Sequence, residues 1–188
     1  ETAAAPRTGT VTPFSNQAGL FSYPGQDGKN PMPDQQQTRW LMHMAQAANA
    51  GQALRVPTAN GFCMYIRHDC LAATGPLRED VFAQGYGEEN DFCLRATAQG
   101  WWHMAAVGAF VAHAGGASFK GGGAALRQRN QRVLETLHPG YHACIARWRA
   151  RRTLEPWRRR FDLVRLRASG PRPAAARAAP GKGATPGR

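Results

Sequence analysis

Apolar residues along the chain recur with two different periods, and together they predict an α/β fold. Residues 8 to 14 (TGTVTPF) are rich in β-branched side chains, which predicts a strand that Pro13 helps to end. Residues 61 to 67 (GFCMYIR) place apolar side chains on both faces and predict a strand that is buried on both sides. The apolar run AAVGAFVA, residues 105 to 112, predicts a further strand.

Polar and helix-forming stretches separate these strands. Residues 15 to 35 are rich in Gly, Pro, Asn and Asp and predict a long surface loop. Helices are predicted over residues 36 to 50, 88 to 100 and 124 to 137, where apolar residues recur at helical spacing between stop signals. A basic helix with Tyr141 on its inner face is expected after the break at HPG.

Composition divides the chain into three regions. Residues 1 to 146 hold the predicted strands and most of the helices and are expected to form one folded unit of ordinary domain size. Residues 147 to 167 predict a basic, amphipathic helical extension. Residues 168 to 188 contain only Ala, Pro, Gly, Arg, Ser, Lys and Thr, so they cannot bury a core and predict a disordered tail.

The charge of the chain is strongly positive but unevenly distributed. Its 188 residues include 24 Lys and Arg against 12 Asp and Glu, a formal net charge of +12. That excess alone would fit an anionic partner such as nucleic acid or an acidic membrane surface. Arginine is concentrated from Arg147 onward, however, instead of lying between aromatic residues across the folded part. We therefore expect no nucleic-acid partner, and a basic nucleic-acid-binding module remains an alternative.

Cysteine usage and hydropathy predict a cytoplasmic location. The four cysteines are widely spaced and form no CxxC pair, which is typical of reduced thiols. No apolar stretch approaches the roughly 20 residues that a membrane span needs. Trp148, Trp157 and Phe161 lie among arginines and predict peripheral contact with the anionic inner face of the cytoplasmic membrane. A solvated basic helix is the alternative interpretation.

Three carboxylates crowd the start of the helix predicted from residue 88. Glu88, Glu89 and Asp91 would lie near its amino end, where free N–H groups and the helix dipole favour ionised acids. Gly85 and Gly87 lie on either side of Tyr86, just before this cluster, and would let the backbone turn sharply and expose the acids to a cleft. Acids in a first helical turn are also routine capping residues, so the pattern alone favours a structural role.

This motif is one of five phrases spread along most of the chain: TVTPFSN at 10 to 16, PTANGFCMYIR at 57 to 67, EENDFCLR at 88 to 95, HAGGASF at 113 to 119 and HPGY at 138 to 141. In this order and spacing they resemble family-2 glycosyltransferases of a bacterial, rhamnosyltransferase-like subgroup. The resemblance implies the carboxy-terminal half of a GT-A (Rossmann-like) domain, with a mixed sheet and flanking helices. It covers nearly everything from residue 8 to about residue 167.

The resemblance also implies an activity. Members of this family transfer a sugar, with inversion, from a nucleotide-sugar donor to a glycan or lipid-linked acceptor, here in cell-surface polysaccharide synthesis. The donor-holding half with its Asp-x-Asp motif is not recognisable in this sequence. We therefore expect a truncated hexosyl- or rhamnosyl-transferase-like enzyme that is inactive by itself. A non-catalytic carbohydrate- or membrane-binding fragment is the alternative.

In the family, the acidic motif supplies the general base that deprotonates the acceptor hydroxyl. The usual aspartate aligns with Glu89 here, and Glu88 takes the preceding acidic position. Because glutamate is one methylene longer than aspartate, the base is left open between Glu89, Glu88 and Asp91. Asp91 is expected to orient the loop or bind the acceptor, and Arg95 to pair with one of the acids.

His113 directly follows the predicted strand at 105 to 112, where side chains of open α/β sheets emerge into a cleft. By resemblance, His113 completes a divalent-metal site, Mg²⁺ or Mn²⁺, whose remaining ligands are expected in the missing half. A satisfied structural histidine is the alternative. His138 and His142 resemble a metal pair, but the Pro and Gly between them favour a structural role for both.

Residues beside the acids, in the turn and in the glycine-rich loop after His113 are candidates for substrate binding. Asn60 and Gly61 lie near the acceptor by analogy, with an ordinary turn as the alternative. Trp101 is able to stack on a sugar face, although a Trp pair beside a helix end is more often core. The complete set is Asn60, Gly61, Tyr86, Gly87, Arg95, Trp101, Ser118 and Lys120.

Overall fold

Four strands form one mixed sheet in the computed structural model, which describes residues 6–26, 28, 30–82, 85–115 and 123–169. They are β1 (Thr8–Phe14), β2 (Ala53–Val56), β3 (Tyr65–Ile66) and β4 (Trp102–Phe110), in the spatial order β2-β4-β1-β3. β1 and β4 are parallel, whereas β2 pairs antiparallel with β4 and β3 antiparallel with β1. The predicted α/β class with a mixed sheet is confirmed, and it is compatible with a Rossmann-like fold.

Helices make up most of the remaining described chain. A short 3-10 helix covers Gly19–Phe21, and the α-helices are α1 (Gln35–Asn49), α2 (His68–Thr74), α3 (Glu79–Phe82), α4 (Glu88–Ala98), α5 (Gly123–Leu137), α6 (Tyr141–Ala150) and α7 (Glu155–Ser169). The helices predicted at 36 to 50, 88 to 100 and 124 to 137 are confirmed to within two residues at each end. In the part of the chain that the structure describes, no helix is long and apolar enough to cross a membrane.

The strand predicted over residues 61 to 67 is wrong for most of its length. Only Tyr65 and Ile66 pair with β1, and Tyr65 is 52% exposed, because β3 is an edge strand with one open side. Residues 61 to 64 leave the sheet instead. The missed strand β2 lies just before them and pairs with β4 from Ala53 to Val56. The prediction at 105 to 112 is confirmed as β4, which begins three residues earlier.

The larger core cluster lies between β1, β4, α1 and α7. Phe161 of α7 is fully buried and stacks on Tyr23 with 3.9 Å between the ring centroids. Arg158 is also buried and donates to the backbone carbonyls of Leu20 and Ser22 at 2.7 and 3.0 Å. The segment predicted as a helical extension, residues 147 to 167, thus contributes Leu154 and Phe161 to the main core.

Trp148, Trp157 and Phe161, which were predicted to contact the membrane, instead face the core. Trp148 and Trp157 pack against the same core cluster, and Phe161 lies inside it. These three aromatic side chains serve the fold and cannot together form a lipid-facing surface. The tail from residue 170 onward lies outside the described residues.

A smaller core cluster fixes α4 against α2 and the sheet. It contains Phe92, Cys93, Ala96, Cys70 and Ala59, all buried. All four cysteines are free, so the two buried thiols act as small hydrophobic groups, as predicted.

His103 ties β4 to its neighbours. Its Nε2 lies 2.8 Å from the Cys93 carbonyl and its Nδ1 2.8 Å from the Thr10 hydroxyl. Burial lowers the pKa of His103, so the neutral ring donates to the carbonyl and accepts from the hydroxyl. These bonds set the position of α4, and with it the position of the acids at its start.

Candidate functional site

The carboxyl ends of the parallel strands β1 and β4 meet at one edge of the sheet, with Phe14 opposite Phe110. Asn16 follows β1 and His113 follows β4. The Asn16 side chain accepts from the His113 backbone N–H at 2.8 Å and donates to the His113 carbonyl at 3.0 Å. This amide clamp holds the chain where it leaves β4, at the edge where open α/β sheets bind ligands.

The imidazole of His113 is oriented by the backbone. Its Nδ1 lies 2.7 Å from the Gln17 carbonyl, and the Phe62 ring stacks on it at 5.2 Å. A carbonyl oxygen only accepts, so Nδ1 carries the proton and Nε2 of the neutral ring keeps its lone pair. Metal-binding histidines are commonly oriented by such a bond. His113 therefore suits the role of a single metal ligand.

The described residues place no further ligand for a divalent metal beside His113. Among the residues that the structure describes, no group of three or more His, Cys, Asp or Glu side chains could hold a metal ion. One fixed imidazole nitrogen fits one position of a metal site, and the predicted metal would need its other ligands from elsewhere. The Mg²⁺ or Mn²⁺ site stays a prediction.

Glu88 and Glu89 lie in the first turn of α4, as predicted. Glu89 is partly buried, and its Oε2 accepts the Gly87 N–H at 3.2 Å. Burial raises the pKa of Glu89, and the neighbouring charge of Glu88 raises it further. Glu88 has a buried Oε2 with no hydrogen-bond partner among the described residues. The pair thus offers a carboxylate of increased basicity beside an unsatisfied acceptor oxygen.

The turn before α4 requires an unusual backbone. Gly85, Tyr86 and Gly87 all have positive φ angles, at 96°, 71° and 137°. A Cβ on Gly87 would also approach the Phe82 ring to 3.0 Å, so glycine is needed there for space as well as for conformation. The predicted sharp turn is confirmed, and a non-glycine residue with positive φ at Tyr86 marks local strain that its surroundings must hold.

Asn130 of α5 holds this turn from the other side. It is fully buried, and its side-chain amide donates to the carbonyls of Phe82 and Gly85, both at 2.6 Å. Arg129 in turn donates to the Asn130 Oδ1 at 2.7 Å. The sequence offered no signal for this role, because a single asparagine within an amphipathic helix has no distinguishing pattern.

Asp91 occupies a different environment from the two glutamates. Its side chain has no exposed surface, and its carboxylate accepts from Arg78, from Arg95 at 2.8 Å and from His138 at 2.8 Å. Burial raises the pKa of Asp91, but the hydrogen bonds from Arg78, His138 and Arg95 outweigh burial and leave it below its usual value. The predicted pairing of Arg95 with an acid is confirmed.

Two further predictions gain support from this cluster. With both of its oxygens occupied and no exposed surface, Asp91 cannot approach an acceptor hydroxyl, which removes it from the candidates for the base and leaves the orienting role. His138 has a structural role, as expected. Arg78 was missed, because it lies 13 residues from Asp91 in a polar segment without a motif.

Residues 60 to 62 join the acids to the histidine. Gly61 packs against Glu89, because a Cβ built on it would lie 3.8 Å from three carbon atoms of the Glu89 side chain. The next residue, Phe62, stacks on His113. The Asn60 side chain accepts the Phe62 N–H at 3.3 Å, which turns the segment. Glu89 and His113 therefore contact adjacent residues of one short segment.

The remaining substrate-binding candidates divide between this site and other places. Tyr86 borders an open cavity of about 390 Å³, where the Arg127 guanidinium lies 4.5 Å from its ring centroid. Trp101 lies beyond the opposite end of α4, which ends about 14 Å along the helix from Glu89. There it packs on the smaller core cluster and under Arg67, so Trp101 does not belong to this site.

The loop after His113 was also predicted to bind substrate. Ser118 and Lys120 lie outside the described residues. Comparisons of the chain with protein-family models, with curated proteins and with solved structures give no match. The functional argument therefore depends on the site itself and on the sequence segments that form it.

Proposed function

We propose that this chain forms the acceptor-binding and base-supplying part of an inverting glycosyltransferase. The observation that carries the proposal is the arrangement at residues 60 to 62, which places Glu89 and His113 on two sides of one short segment. This segment lies near the carboxyl ends of two parallel strands, where ligands of open α/β sheets bind. The resemblance to family-2 glycosyltransferases supports the choice of sugar transfer over other reactions that use a carboxylate base.

In the proposed reaction, Glu89 takes the proton from an acceptor hydroxyl. The hydroxyl oxygen forms a bond to the anomeric carbon of the donor as the bond from that carbon to the diphosphate breaks, and the nucleoside diphosphate leaves with the bonding electrons. A carboxylate with a raised pKa is a stronger base than an ordinary one, which suits proton removal near neutral pH. The Gly87 N–H fixes one of its oxygens and hence its direction.

Glu88 has a complementary part in this proposal. The Glu88 side chain is partly exposed, and a small rotation would let its unpartnered Oε2 accept a hydrogen bond from a hydroxyl of the acceptor sugar. Buried acceptors without a partner are uncommon, and a bound hydroxyl removes the penalty. The charge of Glu88 also helps to keep the pKa of Glu89 raised. Glu88 therefore both positions the acceptor and tunes the base.

His113 would contribute one nitrogen ligand to a divalent metal. When bound, Mg²⁺ or Mn²⁺ supplies the positive charge that offsets the negative charge developing on a leaving diphosphate. The chain's own contribution is to hold the imidazole, through Gln17 and Phe62, with Nε2 available. The other ligands are expected outside the described residues.

The proposal is tested by a transfer assay on the protein at its natural length. Nucleoside diphosphate release is measured over a panel of nucleotide sugars, with and without glycan acceptors and with Mg²⁺ or Mn²⁺. We expect release that depends on an acceptor, and a decrease of at least about tenfold in the His113→Gln variant. His142→Gln is the matched control, since His142 is exposed and outside this site.

Two results would contradict the proposal. Acceptor-dependent release that is equal in the wild type and in His113→Gln would remove His113 from the site. Binding of a glycan without any release, across all donors, would instead favour the non-catalytic carbohydrate-binding alternative.

A further inference from the structure

The outward side of α7 combines exposed leucines with arginines. Leu163 is 53% exposed and Leu166 is 69% exposed, although large aliphatic side chains on a helix of the main core are usually covered. Arg159, Leu163 and Leu166 follow one another at helical spacing and share one line along the helix. Arg160 and Arg167 are also exposed and border this line. We call these five residues the α7 outer face.

The opposite side of the same helix is firmly attached to the core. Phe161 is fully buried, and Arg158 donates to two backbone carbonyls. Asp162 accepts a hydrogen bond from the Tyr23 hydroxyl at 2.6 Å. Because the inner side is held by packing and by hydrogen bonds, the α7 outer face cannot turn its leucines inward. They stay on the surface unless another surface covers them.

The surroundings of this face are strongly positive. Residues 141 to 169 contain nine arginines against the two acids Glu155 and Asp162: Arg147, Arg149, Arg151, Arg152, Arg158, Arg159, Arg160, Arg165 and Arg167. All but Arg158 and Arg165 are exposed. A partner that covers apolar side chains and tolerates this charge must itself be apolar and anionic. Lipid bilayers with acidic headgroups have both properties.

We propose that the α7 outer face docks this protein on an anionic membrane surface. Leu163 and Leu166 enter the boundary between headgroups and acyl chains, while Arg159, Arg160 and Arg167 contact lipid phosphates. Nucleic acid fits less well, because leucines in the middle of the arginine stripe gain little from a phosphate backbone. This proposal is independent of the glycosyltransferase proposal, since it uses no residue of that site.

Sedimentation with lipid vesicles tests the proposal. The full chain is mixed with vesicles of phosphatidylcholine alone, or with an equal part of phosphatidylglycerol, and the bound fraction is measured. We expect binding to the anionic vesicles only, weakened by salt. The Leu163→Ser/Leu166→Ser variant should bind at least about tenfold more weakly, because the apolar area buried in the boundary is lost. Leu71→Ser/Leu77→Ser, two exposed leucines on other elements, is the matched control and should bind as the wild type does.

The arginines are tested separately. Arg159→Gln/Arg167→Gln should weaken binding by roughly tenfold and reduce its salt dependence, since each basic residue near the surface adds to the attraction. Arg39→Gln/Arg132→Gln makes the same change of net charge at exposed positions of α1 and α5 and should have a smaller effect. Thermal unfolding of every variant checks that the fold is intact.

Several results would overturn the proposal. One is the absence of binding to anionic vesicles by the wild-type chain. Another is binding that the leucine variant retains in full, which would leave only nonspecific attraction of a basic protein. Tight binding to duplex DNA that is insensitive to the leucines would favour nucleic acid. If light scattering shows a dimer that the leucine variant loses, the face is an interface between two copies.

Discussion

Asp91 and the pair Glu88 and Glu89 begin the same helix within four residues, yet their environments differ in almost every respect. Asp91 is fully buried and accepts from two arginines and a histidine. Among the described residues, the glutamates have no such cationic partners, and one oxygen of Glu88 has no hydrogen-bond partner. The pKa of Asp91 is lowered and that of Glu89 is raised.

The difference teaches that a helix start does not by itself decide what an acid does. The helix dipole and the free N–H groups act on all three carboxylates. The distribution of cations separates them, because Arg78, Arg95 and His138 all converge on Asp91. Burial without a compensating charge raises the pKa of Glu89 and makes it destabilising but basic, which is a common property of groups that act on a substrate.

The largest expected change in stability comes from disrupting the ion pairs of Asp91. Asp91→Asn leaves the partly buried Arg78 and Arg95 without their anion, so we expect the free energy of unfolding to decrease by about 3 kcal/mol in urea titrations. Asp69→Asn breaks an exposed pair with Arg67 and should have a much smaller effect. Equal losses in the two variants would mean that the Asp91 cluster is not the main support of this helix start.

A somewhat smaller effect is expected at Asn130, which supports the turn before α4. Asn130→Ala leaves the carbonyls of Phe82 and Gly85 without their donor, which we expect to destabilise the protein by roughly 1–3 kcal/mol. Gln131→Ala, at the neighbouring exposed position, is the control and should change stability little. If the two variants unfold alike, Asn130 does not hold the turn.

Glu89→Gln should increase stability, in contrast to the two variants above. Replacing a partly buried carboxylate that has a raised pKa removes the penalty of charging it, and we expect an increase in stability on the order of 1 kcal/mol at pH 7. Glu79→Gln, an exposed acid in the first turn of α3, serves as the control. A Glu89→Gln variant less stable than the wild type would contradict the contrast between the two carboxylate environments.

The smallest effect is the pH dependence that follows from the two pKa shifts. The stability that Asp91 contributes is present above its unfolded pKa of about 3.9 and is lost as the pH falls through its lowered folded pKa. The difference in free energy of unfolding between the wild type and Asp91→Asn should therefore shrink below about pH 4. The higher stability of Glu89→Gln relative to the wild type should appear above about pH 4.3. It should grow as the pH rises through the raised pKa of Glu89. Urea titrations across this range measure both, and parallel curves would contradict the account.

Part of this fold could be predicted from local pattern alone. β1, β4, α1, α4 and α5 carry a clear apolar period and recognisable ends, such as the capping box at Asp34. The segment at residues 61 to 64 could not, because its alternation is that of a strand while its side chains serve α4 and His113. α7 was misjudged because aromatic residues among arginines resemble an interfacial helix, and only tertiary packing shows which side is buried.

The site was predictable to a similar extent. The glutamates and His113 carry motif signals, and the structure places Glu89 against Gly61 and His113 against Phe62. The residues that support them, Asn16, Arg78 and Asn130, act across 13 to 97 positions of sequence. Such contacts leave no local pattern, so a single sequence does not reveal them.

The central claim is that Glu89 is the base, whereas Asp91 supports the fold. The most direct test is the rate of sugar transfer by folded Glu89→Gln and folded Asp91→Asn, measured with saturating donor at a temperature where both are native. The account predicts a 10²- to 10⁴-fold loss in Glu89→Gln, with donor affinity unchanged, and a rate within about tenfold of the wild type in Asp91→Asn. An unchanged rate in Glu89→Gln, or the larger loss in Asp91→Asn, would contradict it.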